Sequence, residues 1–180
     1  MGWTIRQILV VIFGIFSLTA CFVSETQLIP AGSGELPIDG ATWIGTDDFD
    51  RVDPNGDGYF EAGHSDSSET IRFHPLKIVS GKQYYVAELS GYSGEFIMYG
   101  VARRIDHPTN DERAIQIAIM DCGMLDNSLH EEMTQEGWRI TASDSVWCAT
   151  PSLDALTSFL SNYLTAEILE NDTWWESDQH

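Results

Sequence analysis

Positive charge is scarce in this chain: 9 Lys plus Arg stand against 28 Asp plus Glu in 180 residues, a formal charge of −19, and the only lysines are Lys77 and Lys82. A surface this negative repels phosphate backbones and anionic headgroups, which argues against a nucleic-acid partner and against membrane attachment through a polybasic patch. Also missing are a Gly-x-Ser-x-Gly elbow, a glycine-rich phosphate loop and a His-Glu-x-x-His helix, so the standard hydrolase, nucleotide and metalloprotease signatures are absent. There is no repeat of 20 to 50 residues and no βαβ alternation, which argues against solenoids and doubly wound sheets. Hydrophobic residues nevertheless make up 43% of the chain and aromatics 11%. That is enough to bury a core, and the length suits one domain.

The first 20 residues differ from all that follow. One charge, Arg6, precedes the apolar run Ile8-Leu9-Val10-Val11-Ile12-Phe13-Gly14-Ile15-Phe16, and Ser17-Leu18-Thr19-Ala20-Cys21 follows. The run is short for a permanent span and has the shape of a signal peptide. With Leu18-Thr19-Ala20-Cys21 behind it, this segment resembles the lipobox of the bacterial lipoprotein family, although a lone Arg6 stands where several basic residues are usual. The resemblance implies a diacylglycerol on the Cys21 thiol, removal of residues 1–20 as a signal peptide, and acylation of the new amino terminus with a fatty acid such as palmitate. The bland reading is an ordinary secretory signal with an incidental cysteine. Removing the leader takes Arg6 and no acid, leaving 8 basic and 28 acidic side chains, a net −20. Each buried lipid methylene is worth about 0.8 kcal/mol, so two or three acyl chains hold a protein at a membrane without a transmembrane helix. Phe22, rather than Asp, follows the cysteine, and the resemblance then implies the outer membrane of the cell envelope, facing the periplasm.

Residues 21–37 are broken by Pro30, Gly32, Gly34 and Pro37 and read as a tether. A β-rich globular domain is expected over 38–168, with an acidic loop over 46–69 and an acidic tail over 169–180. Beyond Thr70, runs of β-branched and aromatic residues alternate with turn formers, which predicts an α+β, mainly β fold: an antiparallel strand meander covered by a C-terminal amphipathic helix. Ile115, Ile117 and Ile119 share one strand face; Ile97, Tyr99 and Val101 share another. Leu125 to Gln135 reads equally as a short helix or an irregular strand. Thr150 and Pro151 suit the N-cap and first position of the closing helix, whose apolar face holds Leu153, Leu156, Leu160, Tyr163 and Leu164.

The sharpest local motif is Asp53-Pro54-Asn55-Gly56-Asp57-Gly58-Tyr59-Phe60-Glu61. Asp53, Asn55 and Asp57 occupy positions 1, 3 and 5 of an EF-hand-like loop, Gly58 stands at the sharp turn, Tyr59 offers its carbonyl at position 7 and Glu61 stands at position 9. Phe49 and Val52 match the apolar residues of an entering helix. Position 12 is His64 instead of a bidentate Glu, with Asp66 or Glu69 as stand-ins, so calcium is weighed evenly against an acidic surface turn. Cys122 and Cys148 remain once Cys21 is lipidated, and an even pair in an oxidising envelope reads first as a disulfide. Its rival is a Cys122 nucleophile served by His107 or His130. Tyr84, Tyr85, Tyr92, Phe96 and Tyr99 line a ligand groove or pack across strands, and Trp174 and Trp175 dock on a partner or fold back on the domain. The expected function is that of a membrane-anchored envelope lipoprotein binding an envelope protein or small ligand without catalysis. The alternative is an envelope hydrolase using carboxylates.

Overall fold

The computed structural model describes residues 22–45, 49–61, 70–93, 96–109, 112–142 and 146–176. Its strands are β1 (Phe22–Ser24), β2 (Thr42–Gly45), β3 (Phe49–Asn55), β4 (Gly58–Glu61), β5 (Thr70–Val79), β6 (Lys82–Ser93), β7 (Phe96–Asp106), β8 (Arg113–Ile119), β9 (Arg139–Ala142) and β10 (Val146–Ala149). Its α-helices are α1 (Asn127–Gln135), α2 (Leu153–Tyr163), α3 (Ala166–Glu170) and α4 (Asp172–Glu176), and a 3-10 turn covers Cys122–Met124. The chain is mainly β, as the strand runs predict.

All ten strands belong to one mixed sheet in the order β6-β5-β4-β3-β2-β8-β7-β1-β10-β9. Because β6 also pairs with β7, strands β2 to β8 close into a seven-stranded barrel. The expected meander accounts for β5 to β8; the pairs β2–β8 and β1–β10 are parallel. One edge of β7 is divided between β8, opposite Gly100 to Asp106, and β1, opposite Ile97 to Tyr99. From that division β1, β10 and β9 branch away as an outer layer.

Period-two alternation supplies both cores. Ile71, Phe73, Tyr85, Ala87, Ala102, Ile115 and Ile117 fill the barrel with Ile44, Val52 and Tyr59. The intervening Tyr84, Val86, Tyr99 and Val101 face outward, under Phe22, Trp138 and the α2 residues Leu156 and Leu160. Tyr84 and Tyr85 therefore serve opposite faces, as cross-strand packing rather than one groove. The helix α1 resolves the ambiguity of residues 125–135, with Asp126 capping the Leu129 N–H. The N-cap of α2 is Ser152, two residues after the expected Thr150. Thr150 instead donates its backbone N–H to the Val23 carbonyl at 3.0 Å.

Two expected boundaries are wrong for one reason: segments read as solvated are fastened to the barrel. Phe22, in the expected tether, is buried within a strand between β7 and β10, and Ile29 is fully buried. At the other end, Leu169 and Trp175 are buried where a tail is expected. Trp175 stacks on Tyr84 and donates its indole N–H to the Leu169 carbonyl, while the Arg103 guanidinium lies 4.4 Å over its ring and pairs with Asp172. Trp175 thus folds back on its own domain.

Candidate functional site

The acidic motif forms a hairpin. Phe49 and Val52 lie on β3 rather than on an entering helix, and Asn55 pairs with Gly58 across the two-residue turn Gly56-Asp57, where Gly56 takes φ +62°. Asp57 points at the N-terminal segment: one carboxylate oxygen accepts the N–H groups of Gly32 at 2.8 Å and Gly34 at 3.1 Å, and the other lies 3.5 Å from the Arg72 Nε. Burial pushes this carboxyl up, but the Gly34 and Gly32 N–H groups and the Arg72 charge more than reverse it, leaving it below the usual carboxylate value. A side chain at Gly34 would strike the Asp57 carbonyl, so the approach needs glycine. Tyr59 is fully buried and donates its hydroxyl to the Ile38 carbonyl; burial chiefly raises its pKa to about 12. Asp53 is half-buried, Asn55 is exposed, and Glu61 stands opposite Val52 on β4. His64, Asp66, Glu69 and Cys21 lie outside the described residues.

Next to this hairpin is a polar centre that the sequence did not single out. Glu88 is fully buried; one of its carboxylate oxygens accepts the N–H groups of Leu28 and Ile29, both at 2.9 Å, and the Tyr99 hydroxyl at 3.0 Å. Its other oxygen lies 3.6 Å from Arg72, its cross-strand partner, and accepts no hydrogen bond. Burial, followed by the Glu88 charge, pushes the Tyr99 hydroxyl far above its ordinary pKa. Asp57, Arg72 and Glu88 thus form a charge chain whose two acids hold four backbone N–H groups of residues 28–34. Leu36 and Ile38 continue this strap onto the barrel core, and Glu35 donates its N–H to the Phe73 carbonyl. Alternation along β6 would give Glu88 an outward, ordinary reading; the backbone N–H groups it accepts lie some 60 residues away and leave no local signal.

Cys122 and Cys148 form a disulfide with a Cα separation of 6.0 Å, tying the 3-10 turn to β10. His130, one turn into α1, places its Nε2 2.9 Å from the Cys122 carbonyl and 3.9 Å from the Cys122 Sγ. His107 instead lies against Trp43 and Phe49. Two surface grooves accompany these elements. One, of about 350 Å³ between α1 and α2, has an apolar floor of Leu129, Met133, Phe159 and Tyr163, with Glu132 and Glu136 on its rim. The other, of about 290 Å³, is lined by Val23, Trp147 and Ala149 beside the Arg139–Glu25 ion pair. Among the described residues, no helix is long and apolar enough to cross a membrane. No protein-family model, curated protein or solved structure matches the chain.

Proposed function

We propose that this chain is a bacterial envelope lipoprotein, acylated at Cys21 and held at the outer membrane, whose β-rich domain acts by binding an envelope protein or small ligand rather than by catalysis. The export segment and the net −20 of the chain after it support the location. One observation carries the binding reading over the hydrolase: the fully buried Glu88 and the neighbouring Asp57 both point at backbone N–H groups of the strap. Carboxylates so engaged serve as scaffold, whereas glycosidase chemistry needs two that converge on a cleft. The groove between α1 and α2 then offers the apolar surface a ligand would take, with acids at its edge.

Two measurements test the reading. Fatty-acid labelling in cells should mark the wild type and be lost in Cys21→Ala; equal labelling of both ends the lipoprotein assignment. A photo-crosslinking residue at Asn162, on the groove, should give a discrete adduct in intact envelopes that one at exposed Thr109 does not. Identical patterns from the two positions remove the groove from the reading.

A further inference from the structure

We propose that, once the Cys122–Cys148 disulfide is reduced, Cys122, Cys148 and His130 bind one zinc ion. Their two Sγ atoms and a ring nitrogen of His130 lie within 4.8 Å of one another, the only such group of three His, Cys, Asp or Glu ligands among the described residues. The His130 Nε2 stands 3.9 Å from the Cys122 Sγ. Tetrahedral zinc, with bonds of about 2.3 Å to sulfur and about 2.1 Å to nitrogen, places such a pair about 3.6 Å apart. The nitrogen therefore stands close to the separation zinc needs, and binding requires the ring to turn from the Cys122 carbonyl and the two sulfurs to part by side-chain rotation. Thiolate and imidazole donors select zinc or cobalt over calcium and magnesium. Both cysteines are fully buried while His130 is only partly buried, so the fourth position faces the His130 side and takes water.

The chemistry balances with a phosphine as reductant. Two electrons enter the S–S bond, the phosphine takes oxygen from water to become its oxide, and the two protons of that water complete two thiols. Zinc then displaces both thiol protons. His130, whose Nε2 proton lies against the Cys122 carbonyl, shifts to the tautomer protonated at Nδ1 and frees its Nε2 lone pair, so two protons are released per ion. The metal would close the same excursion as the disulfide, holding α1 and β9 to β10 in a chain not yet oxidised.

The test uses the full chain in detergent, reduced with a water-soluble phosphine and titrated with cobalt(II), then zinc. One equivalent of cobalt should give thiolate charge-transfer absorption and the visible bands of a tetrahedral ion, and zinc should displace it. The oxidised protein should give neither. Cys148→Ser should abolish the spectrum, and His130→Ala should weaken cobalt binding at least tenfold and change the visible bands. Circular dichroism of oxidised His130→Ala checks its fold; if it does not fold, His130→Gln replaces it under the same criteria. A reduced wild type that binds no cobalt, or a folded His130 variant with the wild-type spectrum and affinity, overturns the proposal.

Discussion

Glu88 carries a charge in the interior with one oxygen crowded by donors and the other left to Arg72 alone. Replacing it by Ala would leave the mostly buried Arg72 guanidinium with Asp57 as its remaining counter-charge and take the carboxylate acceptor from two backbone N–H groups, and breaking a buried pair costs about 3–5 kcal/mol. Urea denaturation of Glu88→Ala should show a loss of that order, with hydrogen exchange at Leu28 and Ile29 accelerating first. Asp57 adds a dependence on pH. Its carboxyl lies below the ordinary value of about 3.9, so the unfolded chain binds its proton more readily; the stabilisation is complete above about pH 4 and disappears as pH falls through the lowered folded value. Thermal melts of Asp57→Asn should therefore show a lower Tm than wild type at pH 7 and a shallower loss between pH 4 and pH 2. Its partners here are Gly32, Gly34 and Arg72, and an acidic turn fastened in this way would show the same Tm deficit at pH 7 with and without millimolar calcium. A calcium loop would instead raise the wild-type Tm and leave Asp57→Asn behind.

At the scale of elements, the outer layer depends on two fastenings, the disulfide and the cap of α2. The cysteines are separated by 26 residues, and closing such a loop is worth about 3 kcal/mol in chain entropy. Reduction without added metal should lower the Tm by roughly 6–12 °C, measured by calorimetry. Ser152→Ala removes the oxygen that accepts the Ala155 N–H and should cost about 1 kcal/mol, whereas Thr150→Ser should leave helix α2 intact. These elements differ in how legible they were. The alternating faces of β7 and β8 and the apolar face of α2 are local patterns, readable because the period of a strand or helix is written into a few neighbouring residues. Barrel closure is not local: β2 meets β8 in parallel across some 70 residues, a pairing no turn residue announces. The strand β1 has three residues beside a stretch rich in Pro and Gly, too short to display a period. Its place is set by partners far along the chain, Tyr99 and Cys148. The Cys122, Cys148 and His130 cluster was half legible, since the cysteine pair is visible in the sequence while His130 reaches it only through the fold of α1.

For the molecule as a whole, the position of Phe22 alters what an anchor at Cys21 would mean. A lipidated cysteine followed by a tether would leave the domain free to swing away from the bilayer. Here the next residue is already in a strand bounded by β7 and β10, and one extended residue spans only about 3.5 Å. An acylated Cys21 would therefore hold the domain directly against the headgroups. The same strand makes the N-terminal segment part of the fold: Phe22 packs on Trp138 and Phe159, Val23 accepts the Thr150 N–H, and the strap from Leu28 to Ile38 is fastened by Glu88, Asp57 and Tyr59. A tether can be shortened without thermodynamic consequence, whereas removing a central strand exposes the edges of β7 and β10 and the apolar surface under them. Phe22→Ala alone should cost about 3–5 kcal/mol, a large share of the 5–15 kcal/mol typical of a domain. Deleting Phe22 to Ser24 should go further and abolish the cooperative thermal transition and the near-ultraviolet circular dichroism of the packed aromatics. A deletion variant that melts at the wild-type temperature would return residues 21–37 to the role of a tether.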